Sequence, residues 1–139
     1  MNYKKVLGLE PGDRIIEPLF QTGFSKHHAI YLGTINNTDE LIAENHKFKG
    51  VQLIKASDYF ASVKSIDRII KFQGDASQRY NALERAVGLK GRRYDLVNYN
   101  CEHYANEVQN GAPISHQVRN AFLIFLAVLA FLIALQWKR

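Results

Sequence analysis

Between Asn120 and Trp137 the chain carries no charged residue, and residues 121–135 are apolar at every position. A helix apolar all the way round belongs either in the middle of a large protein or in a membrane. A chain of 139 residues has no core large enough to enclose one. A bilayer-spanning helix takes about 20 apolar residues, with roughly 17 as the lower limit. The run meets that limit once the flanking Val118 and Trp137 are counted. Trp137, Lys138 and Arg139 at one border and Arg119 at the other are residue types that anchor a span at its two interfaces. Residues 113–139 are therefore expected to form a membrane anchor, in preference to an oligomerisation or core helix. Residues 1–112 are expected to form a separate domain ahead of it, facing the cytosol.

Composition limits what that domain is. A hydrophobic content of 47% with 22% charged residues fits a folded globular unit and not a disordered chain. The single cysteine excludes an intramolecular disulfide and suits a reducing compartment. At the N-terminus, Glu10, Pro11 and Asp13 interrupt the chain before any apolar run of signal-peptide length, so export by that route is not expected. The net charge is +5, but the basic residues are scattered and not interleaved with aromatics. No nucleic-acid partner is expected; attraction to an anionic membrane surface is.

In chain order, Pro11-Gly12-Asp13 reads as a turn and residues 14–20 as a short strand, with Pro18 marking an edge or an end. Residues 21–26 read as a loop. Residues 27–33 have the β-former density of a buried strand, with His27, Ala29 and Tyr31 on one face and His28, Ile30 and Leu32 on the other. Asn36-Asn37 sits in a hairpin turn, residues 41–45 return antiparallel, and residues 51–54 and 65–72 read as further strands. A short helix at 56–61 and a longer one at 76–89, with Tyr80, Leu83, Ala86 and Val87 at helical spacing, complete an α+β domain: an antiparallel sheet with packed helices.

The lone cysteine sits in Asn98-Tyr99-Asn100-Cys101-Glu102-His103-Tyr104, where a loop turns into a helix that Gly111 stops. At a helix N-terminus the unpaired N–H groups and the positive end of the dipole favour a thiolate, the form a nucleophilic cysteine needs. The plainer reading is a small buried hydrophobe.

Pro11-Gly12-Asp13, then His27-His28-Ala29-Ile30-Tyr31-Leu32-Gly33, then Asn100-Cys101-Glu102-His103-Tyr104 occur in that order. Together, over residues 7–111, they resemble the lecithin:retinol acyltransferase-like family, a branch of the papain-like NlpC-type thiol superfamily. The one mild departure is Tyr104 where the family usually has Phe. The resemblance implies a papain-like NlpC-type fold, Cys101 as nucleophile and His27 as general base. It also implies a C-terminal membrane anchor of the kind found in the phospholipase/acyltransferase branch. The expected chemistry is phospholipase A-type hydrolysis or acyl transfer on an acyl lipid through a Cys101 thioester, with membrane lipid as both substrate and anchoring surface. His28 matches a variable position and is expected to be structural or at the surface. His103 is expected to hold its helix against the sheet. Tyr31 either supports the site or packs in the core.

The family places a polar residue, often His, on the strand after the base to orient the imidazole. Here that place falls to His46 or to Glu44, with His46 preferred because it keeps the residue type. No pair of His or Cys residues has the spacing of a metal motif, and there is no glycine-rich phosphate loop, so no metal or cofactor is expected. Two other functions fit the same motifs. One is a cysteine peptidase or amidase of the broader superfamily. The other is a catalytically silent protein that keeps the fold and binds a protein partner.

Overall fold

The computed structural model describes residues 2–19, 25–35 and 39–137. Residues 21–24 of the expected 21–26 loop, the expected Asn36-Asn37 turn and the expected anchoring pair Lys138-Arg139 lie outside these residues, while Lys26, expected in that loop, already belongs to a strand. Five strands, β1 (Arg14–Pro18), β2 (Lys26–Ile35), β3 (Asp39–His46), β4 (Gly50–Lys55) and β5 (Arg68–Ile70), form one antiparallel sheet in the order β4-β3-β2-β1-β5. Helices α1 (Tyr3–Leu7), α2 (Ala56–Ser62), α3 (Ala76–Gly88), α4 (Cys101–Asn110) and α5 (His116–Trp137) accompany it, so the protein is α+β.

The alternation expected along β2 divides the core in two. Ala29 and Tyr31 are buried with Leu9, Ile15, Ile42, Ala56 and Tyr59 under α2, whereas Ile30 and Leu32 are buried with Ala43 and Val51 against α3 and α4. Each fully buried Ile, Val or Leu among these contributes about 1.5–3 kcal/mol relative to exposure. On α3 the buried face is Ala82 and Ala86, with Leu83 beside them; Tyr80 and Val87 are exposed, contrary to the expected stripe. Small alanines let α3 approach α4 closely, and the Tyr104 hydroxyl crosses to the Ala86 carbonyl at 3.1 Å. Tyr31 is core, and its hydroxyl donates to Glu40 Oε1 at 2.7 Å.

The Pro11-Gly12-Asp13 turn is a structural corner. Buried Asp13 accepts the N–H groups of Glu10 at 2.9 Å and Phe72 at 3.0 Å, tying the start of β1 to the segment after β5. That bond takes Phe72 out of the ladder, and β5 is shorter than the 65–72 run. Helix α1 was not anticipated: five residues carry too little periodicity, and only the Asn2 cap and left-handed Gly8 define it.

Helix α4 begins at Cys101 because of Asn100. The Asn100 side-chain oxygen accepts the N–H groups of Glu102 at 2.9 Å and His103 at 3.1 Å, while His103 Nδ1 accepts the Asn100 N–H at 3.1 Å. This reciprocal cap satisfies donors the helix leaves open, and such caps contribute on the order of 1 kcal/mol. His103 therefore closes its own helix terminus. Gly111, at φ 75, ends the helix in the left-handed conformation.

Helix α5 has 22 residues, mean hydropathy 2.4 in its most apolar stretch, and no buried residue. At 1.5 Å per residue it is about 33 Å long, enough for a hydrocarbon core of about 30 Å. It is thus long and apolar enough to cross a membrane.

Candidate active site

Cys101 and His27 belong to elements on different faces of the sheet. Helix α4 packs on the Ile30 face, whereas His27 shares its face with Ala29. They meet because β2 and β3 part. Their ladder ends at Ala29↔Glu44; beyond it β2 pairs only with β1 (Glu17↔His27, Pro18↔Lys26), and β3 runs on with β4 to His46↔Gly50. At the parting the Cys101 thiol donates to the Lys26 carbonyl at 3.6 Å, on the peptide unit that leads into His27. The His27 imidazole and the Cys101 sulfur line the same cavity. Cys101 itself is only 5% exposed.

His27 Nε2 lies 2.5 Å from Glu44 Oε2, which leaves Nδ1 as the ring nitrogen for the sulfur. Burial opposes a charged ring. Hydrogen bonding to Cys101 and Glu44, together with the charge of the Glu44 carboxylate, outweighs it and raises the His27 pKa to about 10. Burial likewise works against the Glu44 carboxylate, but the His27 ring and a 2.7 Å bond from Gln52 Nε2 hold its pKa below the usual range. Glu17, opposite His27 across β1, has its pKa raised by burial and accepts the Tyr59 hydroxyl at 3.0 Å.

The preference for His46 is corrected at this point. Glu44 is the residue against the imidazole, while His46 Nδ1 accepts the Phe48 N–H at 3.3 Å in the turn toward β4. Both side chains point to the same face, but the ladder has already ended at residue 44. His46 leaves with the β3–β4 hairpin, and His27 reaches diagonally to Glu44.

Two further contacts position the sulfur. The Asn45 amide donates to the Tyr99 carbonyl at 2.7 Å, holding the segment before Cys101; its Oδ1 is buried without a partner among the described residues. Such an orphan costs about 1–3 kcal/mol, which the Tyr99 contact and surrounding packing sustain. On the far side, Glu102 Oε2 accepts the Ser115 hydroxyl at 2.7 Å and the Gln117 N–H at 2.9 Å. His28 is buried, not at the surface. Its Nδ1 accepts Arg14 Nε–H at 2.8 Å, and Arg14 also donates to Asn106 at 2.6 Å. None of Glu17, Gln52, Asn45 or Glu102 was singled out from the sequence. Gln52 and Glu44 share a strand face, a pairing visible only once the β3–β4 register is known.

Two cavities meet at Cys101. One, of about 590 Å³, is lined by polar and apolar side chains together, among them His27, Glu44, Ile54, Tyr59 and the exposed Lys47 and Lys49. The other, of about 470 Å³, is mainly apolar and runs from Cys101 onto the first turns of α5. Among the described residues the Cys101 N–H has no acceptor, so it is free to donate to an oxygen beside the sulfur. No group of three or more His, Cys, Asp or Glu side chains converges as a metal site among the described residues. No protein-family model matches the chain, and no curated protein matches it.

Proposed function

We propose that the chain is a thiol acyl-transfer enzyme of the lecithin:retinol acyltransferase-like kind, with a papain-like NlpC-type fold, anchored by α5 and acting on acyl lipids. The observation that carries this reading is that Cys101, at the N-terminus of α4, shares one cavity with the bonded His27–Glu44 pair, beside a helix apolar enough to span a bilayer. A proton shared between sulfur and imidazole, with a carboxylate behind the ring, is what a nucleophilic cysteine requires.

The Cys101 thiolate attacks the ester carbonyl while the Cys101 N–H steadies the oxyanion. The new S–C bond forms and the ester C–O bond breaks. The His27 imidazolium gives its proton to the departing alkoxide, leaving a thioester and neutral His27. Water, or an acceptor hydroxyl or amine, then attacks the thioester. His27 takes the acceptor's proton, and the thiolate departs. Glu44 stays ionised and keeps Nδ1 aimed at the sulfur. The anchor sets this chemistry beside the bilayer, with the catalytic domain on the cytosolic side.

The test is intact-mass spectrometry of the full chain after incubation with phosphatidylcholine and phosphatidylserine vesicles. An acyl mass on wild type, mapped to Cys101, together with released lysophospholipid, is the expected result. Cys101→Ala should show neither while keeping its circular dichroism spectrum. The reading fails if wild type gains no acyl mass and releases no fatty acid.

A further inference from the structure

We propose that the apolar groove between the 96–97 segment and the first turns of α5 seats the acyl chain of a bilayer lipid, while the alcohol part of the ester occupies the neighbouring cavity that holds His27, Lys47 and Lys49. This rests on the acyl-transfer reading and gives the substrate an orientation in the site. The groove, about 470 Å³, is walled by Leu96 and Val97 on one side and by Val118, Ala121 and Phe122 on the other, with Cys101 at its end.

Leu96 is 69% and Val97 59% exposed, yet they are not on a loose loop. Asp95 Oδ1 accepts the N–H groups of Val97 at 2.9 Å and Asn98 at 2.7 Å, and the Leu96 carbonyl accepts Asn100 Nδ2–H at 3.1 Å. Two apolar side chains are thus held rigidly toward Val118, Ala121 and Phe122, where the apolar stretch of α5 begins. Exposed apolar surface held in place beside a span is covered by hydrocarbon when the span is in the bilayer. A chain following α5 out of the bilayer would reach Cys101 along this groove.

The other cavity meets this groove at Cys101, Leu19 and Tyr94. It holds His27, the group that protonates the departing alkoxide, and Lys47 and Lys49, whose charges suit a phosphate. Only one orientation puts the alkoxide against the proton donor: acyl chain toward α5, headgroup toward β3 and β4.

The experiment compares acylation of the full chain in detergent by p-nitrophenyl laurate and p-nitrophenyl butyrate, in wild type, Ala121→Trp and Leu96→Gln. Each methylene withdrawn from water is worth about fourfold, so wild type should favour laurate. Filling the groove from α5, or making its far wall polar, should lower the laurate-to-butyrate ratio at least tenfold. If both esters acylate Cys101 and the ratio is the same in all three proteins, the groove does not seat the chain, although acyl transfer stands. If the ratio is unmoved but Ala121→Trp alters the oligomeric state, the groove is a contact with a second copy and the proposal falls. If neither ester acylates wild type while iodoacetamide still labels Cys101, the acyl-transfer reading falls and the groove proposal with it.

Discussion

Replacing Glu44 by Gln tests the charge state of the site with almost no change of shape. Gln52 Nε2 donates to Glu44 Oε1 at 2.7 Å, so the amide oxygen of a glutamine at 44 has to face Gln52. Its NH₂ then faces His27 Nε2, which in the native protein lies 2.5 Å from a carboxylate oxygen. A donor confronting an imidazolium N–H is repulsive, and the ring can accept that NH₂ only by losing its own proton there. The charge-assisted bond is worth about 1.5–3 kcal/mol. Loss of that bond moves the His27 titration down by about one to two pH units. The assay is the rate of Cys101 alkylation by iodoacetate, whose negative charge makes it sensitive to the imidazolium. In wild type the rate should fall as pH rises through about 10, where His27 loses its proton. In Glu44→Gln the same fall should come at about pH 8–9, and in His46→Ala it should stay where wild type has it. A Glu44→Gln profile superimposing on wild type, or an equal displacement in His46→Ala, would refute the assignment of Glu44 as the group that holds the ring.

Two stability measurements probe the frame around the site. Burial and the Arg14 guanidinium lower the His28 pKa to about 2, so below about pH 6.5 the unfolded chain binds a proton that the folded one does not. Folding should weaken by about 1.4 kcal/mol per pH unit, or about 2 kcal/mol between pH 6.5 and 5; urea midpoints at the two values should show this contribution in wild type and not in His28→Gln. Gly50 has φ 72, and a Cβ there would come within 2.4 Å of the Arg92 carbonyl oxygen, which already accepts the Val51 N–H at 2.8 Å. Gly50→Ala should therefore cost more than about 1 kcal/mol in denaturant unfolding, and a variant as stable as wild type would mean that the 91–93 segment yields freely.

Local chemistry made much of the fold legible. The alternation in β2 separates two cores, and Asn100 and Gly111 bracket α4 as their residue types require. What stayed hidden depends on where pairings stop. His46 and Glu44 lie on one strand face, and a choice between them needs the residue at which β2 and β3 separate, which neither strand's composition encodes. The Phe72 N–H is diverted to Asp13, 59 residues away, and so β5 is shorter than its β-former run. The exposed Tyr80 and the buried Ala82 on α3 follow from how closely α4 approaches, a tertiary preference for small side chains over large ones.

Three contacts hold the segment around Cys101, and one of them reaches the start of α5. Asn45 holds Tyr99 ahead of Cys101, and Asn100 caps the turn that contains it. Glu102, the next residue, takes the Ser115 hydroxyl and the Gln117 N–H at the start of α5. Gln117 in turn accepts the Lys26 N–H at 3.0 Å through Oε1, on the residue whose carbonyl receives the Cys101 thiol. The Glu102 side chain, next to the cysteine, and the Lys26 N–H, next to the histidine, are thus both bonded to Gln117 in the first turn of the apolar helix. A tether needs no such bonds, since a flexible link would hold a domain near a surface equally well. Attachment at Glu102 and Lys26 ties the first turn of α5 to the segments that carry Cys101 and His27, so under the proposed acyl-transfer function the orientation of α5 in a bilayer would also set the side from which a carbonyl approaches the sulfur.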